Sequence, residues 1–159
     1  MKTATGKEVV LSMLDLATDI ARWNKKYTTK TVLLQKLEEL GLTSHQIEVL
    51  GFMHANPELD TVSAMAAEMF ISKGSLSLMI SKLEAGGFVQ KKSAKGEDDG
   101  RKVYISLTKK GIAAVTEIRD TMVNSASDVF DDMDDATRTL VYTKVKEFKE
   151  LFNTGGWKE

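Results

Sequence analysis

The 159-residue sequence predicts a mainly α fold with a small β-hairpin wing: a winged helix-turn-helix flanked by N- and C-terminal helices. Three observations predict it. Three short amphipathic segments follow one another between Thr43 and Ala85, each opened by a capping residue. Directly after Gly86-Gly87 the apolar period changes from 3.6 to 2. Long apolar stripes occupy both ends of the chain. The length suits one domain, read as a winged helix-turn-helix lobe at 42–108 with helical flanks at 1–41 and 109–159.

The first helix is expected from Lys7 to about Tyr27, where Val10, Leu14, Ala17 and Ala21 run beside Val9, Met13, Leu16, Ile20 and Trp23. So wide an apolar face packs on more than one surface. Thr28-Thr29 weakens the helix before Val32, Leu33, Leu37 and Leu40 resume the pattern, and Gly41 ends it. One bent helix and two separate helices both satisfy this stretch. Thr43 then reads as an N-cap for a helix through Ile47, Leu50 and Met53, which ends before Pro57. Thr61 or Ser63 caps a second helix carrying Met65, Ala66 and Met69, and Ser72 caps a third that Gly86-Gly87 stops. The last two, joined by a tight turn, form the helix-turn-helix pattern.

Phe88 to Ala94 and Lys102 to Thr108 read as two strands, with Val103, Ile105 and Leu107 on one face of the second. The polar segment from Lys95 to Arg101 makes the hairpin tip, so the pair forms a wing. A long helix from Lys109 to about Met133 and a last one from about Asp135 to Asn153 follow. The latter carries Val141, Val145, Phe148 and Phe152. Their stripes need partners, and the first helix and a second copy of the chain are the available ones.

Composition narrows the function. Forty-two per cent hydrophobic and 28% charged residues suit a folded domain. With no cysteine there is no disulfide, thiolate zinc site or catalytic thiol. The N-terminus lacks the apolar run of a secretory signal, and no stretch approaches the ~20 apolar residues that span a membrane. A cytoplasmic location is expected. The net charge of -1 conceals an uneven distribution: residues 71–110 carry nine basic and four acidic side chains, while the segments on either side are net acidic. That is a local cationic footprint of the kind that meets phosphates.

On a helical wheel at about 100° per residue, Leu76, Met79, Ile80 and Leu83 gather on one arc of the Ser72–Ala85 helix. Opposite lie Gly74, Leu78, Ser81 and Ala85, flanked by Ser75, Ser77 and Lys82. The outward face is small, hydroxyl-bearing and basic, which suits close approach to base edges in a major groove. Ser72 and Lys73 set the helix N-terminus and a cation where a phosphate can sit. A solvated serine-rich face is the competing reading. Exposed Leu78 separates the two, because it either meets a thymine methyl or packs on another element.

Here the sequence resembles the multiple-antibiotic-resistance regulator (MarR) family of bacterial transcription factors. Asp99-Gly-Arg101-Lys-Val-Tyr-Ile-Ser-Leu107-Thr108 matches that family's wing pattern D-x-R-x-x-x-x-x-L-T, followed by Lys-Lys-Gly111. Leu42-Thr-Ser-His-Gln46 and Leu83-Glu-Ala-Gly-Gly87-Phe-Val resemble its helix opening and its exit from the recognition helix. The resemblance implies a homodimer on double-stranded DNA with a pseudo-palindromic operator. It implies Arg101 reaching toward the minor groove and Asp99 holding the loop; Lys95, in the same cationic segment, is a further candidate for DNA contact. The physical sense is that an arginine fits the negative potential of a narrow minor groove. It also implies a small aromatic or anionic effector, for which Trp23, Tyr27, His45 and Met53 are candidates, with plain core packing as the other reading of each. Three positions depart from the family pattern. Relatives commonly carry a basic residue near Leu78, an arginine near Lys91 and a glycine where Phe70 stands.

No cofactor or metal site is expected. His45 and His54, nine residues apart on one helix, point in opposite directions. Asp131-Asp-Met-Asp-Asp135 lacks EF-hand spacing and reads as a connection into the last helix. No Walker loop, dinucleotide fingerprint or nucleophile elbow occurs, so an enzyme is not expected. The alternative function is a winged-helix dimer that binds a ligand or protein without an operator.

Overall fold

The computed structural model describes residues 3–27, 30–93 and 103–153. Among them the order is α1 (Gly6–Tyr27), α2 (Lys30–Leu40), α3 (Ser44–Ala55), α4 (Val62–Glu68), α5 (Lys73–Ala85), β1 (Val89–Ser93), β2 (Val103–Leu107), α6 (Lys109–Asp131) and α7 (Asp135–Asn153). The expected elements are present within a residue or two. Helix is described on both sides of positions 28–29, which lie outside the described residues. Two compact units divide the chain, one of residues 30–121 and one of residues 1–29 with 122–159.

The 30–121 unit is built on local caps. Thr43 accepts from the Gln46 amide at 3.2 Å while the Gln46 side chain accepts from the Thr43 amide at 2.8 Å, a reciprocal capping box. Thr61 accepts from Ala64 N at 3.3 Å and Ser72 from Ser75 N at 3.1 Å. These hydroxyls satisfy amides that no helix turn reaches, which is why each helix starts where it does. Between the caps, Val49, Leu50 and Met53 of α3, Met65 and Ala66 of α4, and Leu76, Ile80 and Leu83 of α5 are buried with Phe88, Val89 and Ile105. Each of these side chains larger than alanine stabilises the fold by about 1.5–3 kcal/mol. Leu37 of α2 and Ala114, Val115 and Ile118 of α6 are buried as well, so α2 and the part of α6 up to Thr121 count with this unit, while the rest of α6 counts with the other.

Antiparallel β1 and β2 pair Val89 with Leu107 and Lys91 with Ile105. The Ile105 amide donates to the Asp60 carbonyl at 2.7 Å, fastening β2 to the loop before α4. At the other end the chain crosses itself closely. Thr108 Oγ1 donates toward the Gly87 carbonyl at 2.7 Å and accepts from Gly111 N at 3.1 Å, capping α6. Gly111 lies so near Phe88 that an added Cβ would stand 2.1 Å from its carbonyl oxygen. Lys110 Nζ donates to the Gly86 carbonyl at 2.8 Å and lies 4.2 Å above the Phe88 ring. These contacts give a physical reason for the Leu-Thr-Lys-Lys-Gly run.

Three helices end in the same way. After α2, Leu42 N bonds Leu37 O and Gly41 N bonds Glu38 O; after α5, Phe88 N bonds Leu83 O and Gly87 N bonds Glu84 O. After α4, Ile71 N bonds Ala66 O and Phe70 N bonds Ala67 O. This paired closure places one residue in the left-handed region. Gly41 (φ 66°) and Gly87 (φ 75°) adopt it freely, but the third position is Phe70 (φ 54°). A side chain there costs about 1–2 kcal/mol.

In the other unit, Thr5 and Glu8 form a capping box for α1, with Thr5 N to Glu8 Oε2 at 2.8 Å. This bond and the Thr5 hydroxyl hold the Glu8 carboxyl below its usual pKa. Asp134 caps α7 through Thr137 N at 2.9 Å. Trp23 packs on Phe130 with ring centroids 5.5 Å apart. The apolar faces of α1 and α7 stay exposed, including Val10, Leu14, Ile20, Leu140 and Val145. An open groove lined by Leu16, Ile20, Val145, Phe148 and Leu151 runs between them. No described helix is long and apolar enough to cross a membrane.

Two outcomes are expected from this packing. Gly111→Ala should lose about 1–3 kcal/mol of stability in urea unfolding, because the Phe88 backbone must move to admit a methyl. Lys36 of α2, within 2.5 Å of Glu117 and 2.8 Å of Glu39, has its pKa raised to about 12, chiefly by Glu117. A raised folded-state value means its stabilisation is complete below about pH 10.5 and disappears as pH rises toward 12. The stability gap between wild type and Lys36→Met should therefore close over that alkaline window in unfolding titrations.

Candidate nucleic-acid interface

Helix α5 turns two faces in opposite directions. Leu76, Ile80 and Leu83 are completely buried and Met79 is half-buried, while Lys73, Gly74, Ser75, Ser77, Leu78, Ser81 and Lys82 are all exposed. The wheel arrangement expected from the sequence is thus the one α5 adopts. Leu78 is 61% exposed, so no described element of its own unit covers it. Ser72 is engaged as the N-cap, its hydroxyl 2.7 Å from that of Ser75. Lys95, Asp99 and Arg101 lie outside the described residues.

Lys91, on β1, has a role that the sequence did not reveal. Its ammonium lies 2.6 Å from Glu84 Oε2 and donates to Ser81 Oγ at 3.3 Å. One cation thereby neutralises the carboxylate of α5 and tethers the strand to a hydroxyl on the exposed face. Strand alternation places Lys91 on the same side as buried Val89, and that is the available signal.

Of the four residues considered for an effector pocket, Trp23 belongs to one unit and His45 and Met53 to the other. Trp23 packs against Phe130 with tilted rings in the 1–29 and 122–159 unit. The side chain of Tyr27 is outside the described residues. His45 is exposed in the first turn of α3, whereas Met53 is buried near its other end. Met53 lines a cavity of about 230 Å³ with His54, Pro57, Leu59, Leu107 and Ile112. Its lining is more apolar than polar, and no sequence signal marks His54 as part of it. Among the described residues, no group of three or more His, Cys, Asp or Glu is placed to hold a metal ion.

A three-helix lobe with its last helix exposed on one face, followed directly by a two-stranded antiparallel hairpin, is a winged helix-turn-helix. Residues 40–102 match the model of the MarR family. The HTH-type transcriptional regulator SarZ of Staphylococcus haemolyticus (strain JCSC1435) is 29% identical over 112 residues, spanning 68% of this chain and 71% of SarZ. The transcriptional regulator Tm0710 of Thermotoga maritima superposes with a TM-score of 0.72 over 94% of this chain and 99% of its own, at 15% identity. MepR of S. aureus, solved as a DNA complex, superposes with a TM-score of 0.61 over 77% and 90%, at 18% identity. The chain has the fold of solved MarR-family structures, and its residues 40–102 match that family's model.

The Lys91 bridge can be tested separately from the rest of the face. Lys91→Ala should weaken duplex binding roughly three- to tenfold in fluorescence anisotropy, because it bares Glu84 toward phosphates. Adding Glu84→Gln should recover most of that affinity, which would not happen if Lys91 touched a phosphate directly.

Proposed function

We propose that the protein is a dimeric, sequence-specific regulator that lays α5 in the major groove of an operator and directs its wing toward the minor groove. The observation that carries this reading is the exposed face of α5, where Gly74, Ser75, Ser77 and Ser81 leave room for base edges and Lys73 and Lys82 flank them. Small residues allow the backbone close to the bases, hydroxyls exchange hydrogen bonds with them, and Leu78 is suited to a thymine methyl. The first-turn amides of α5 add a positive dipole end beside Lys73. Asp99 and Arg101 keep the wing roles that the family pattern gives them, and Lys95 of the same segment is a further candidate for contact with DNA. The MepR structure, a complex with DNA, supports the same use of the shared fold.

A homodimer is part of the reading. The exposed apolar stripes of α1 and α7 and the groove of about 550 Å³ between them are what a second copy would cover. Half-sites about one helical turn apart follow from such symmetry. A small aromatic or anionic effector completes the proposal, and the Met53–His54 cavity, bounded by α3, β2 and α6, is a compartment of suitable size within the DNA-reading unit.

Genomic-fragment selection with the purified protein should recover a discrete duplex. Against it, Lys82→Ala and Arg101→Ala should each weaken binding and flatten the slope of log K against log salt by about 0.9 for every phosphate no longer neutralised. Unchanged affinity in both variants would remove the proposed interface. Ile20→Asp with Val145→Asp should raise the dimer dissociation constant by roughly 100-fold or more in sedimentation equilibrium, since each buries a charge in the shared face.

A further inference from the structure

We propose that Phe70, in the turn between α4 and α5, is an apolar DNA contact that works beside the polar face of α5. This inference rests on the operator-binding reading above and adds to it a residue outside the recognition helix. Two observations carry it. Phe70 stands at φ 54° in a helix closure whose two counterparts in this chain, Gly41 and Gly87, are glycines. Its ring is also 95% exposed, the most exposed large apolar side chain among the described residues. The strain opposes folding, the exposed ring contributes no burial to offset it, and nothing in the 30–121 unit returns a packing gain. A ring kept at a strained position without any packing gain points to a gain made in a complex.

Its position identifies the partner. Phe70 is two residues from Ser72, the N-cap of α5, and three from exposed Lys73, so the ring stands beside the N-terminal end of that helix. The turn geometry is held by the Ile71 to Ala66 and Phe70 to Ala67 bonds, which fix where the ring stands before any partner arrives. A phenyl ring makes no hydrogen bond to phosphate oxygens. What it can cover on duplex DNA is the apolar wall of the groove, made of thymine methyls and deoxyribose carbons. Leu78, exposed on α5, offers a second apolar contact of the same kind.

Stability and DNA affinity should separate at this residue. Phe70→Gly relieves the strain and removes the ring, whereas Phe70→Ala removes the ring and keeps the left-handed Cβ. On a duplex selected by the wild-type protein, both variants should bind about tenfold more weakly. At equal protein concentration, Phe70→Gly alone should raise Tm, by roughly 2–4 °C. Replacing each thymine of the duplex by deoxyuridine then locates the contact. A wild-type loss at one thymine that is missing in Phe70→Ala assigns the ring to a methyl group, and equal losses by both variants at every position assign it to deoxyribose. Affinity unchanged in both variants, with the wild type binding normally, overturns this proposal and leaves the operator reading intact. The same holds if the variants alter only dimer dissociation, which would place the ring between subunits. A wild-type protein that selects no duplex overturns both.

Discussion

The close crossing of α6 over the start of β1 is the constraint on which the exposed face of α5 depends. Gly111 has no side chain, so α6 can begin against the Phe88 carbonyl. Thr108 closes the gap by capping α6 while holding the Gly87 and Phe88 carbonyls, and Lys110 holds that of Gly86. The last turn of α5, the first residue of the hairpin and the first turn of α6 are thereby joined at one point. The direction of α5 follows from that junction together with its buried face of Leu76, Ile80 and Leu83. Polar contacts on the backbone thus hold the angle of α5 together with core packing.

Much of this architecture could be read from the sequence because it is locally encoded. Thr43, Thr61 and Ser72 cap their helices through bonds that span three residues, so residue type and position suffice. The hairpin was equally visible in its period of two. Features set by tertiary geometry were not visible. The left-handed conformation of Phe70 is imposed by the bonds that close α4, and the residue itself argues against it. Whether the stripes of α1 and α7 face a core or another chain lies outside what periodicity encodes, and in the single chain they remain exposed. The effector candidates rest on residue type, and His45 and Met53 prove to stand near opposite ends of α3.

The charge pattern also changes meaning once partners are known. The nine cations of residues 71–110 suggest a strongly basic surface, yet Lys91 is engaged with Glu84 and Lys110 with the Gly86 carbonyl and the Phe88 ring. Two of the cations therefore act within the lobe. The remaining outward charge on α5 is modest, carried by Lys73 and Lys82 beside small and apolar side chains. Such a surface favours recognition through shape and close contact over long-range attraction.

The Lys91 tether has a consequence for how a new specificity would arise. It joins the strand to Ser81 and Glu84 but leaves Gly74, Ser77, Leu78 and Lys82 outside the contacts that hold the lobe together. Substitutions at these four positions alter what α5 presents while the helix keeps its buried face and both of its ends. Positions that can vary at little thermodynamic penalty are the ones along which paralogues diverge. The lobe is thus divided into an inherited chassis and a small interchangeable alphabet, with Ser81 at the boundary between them.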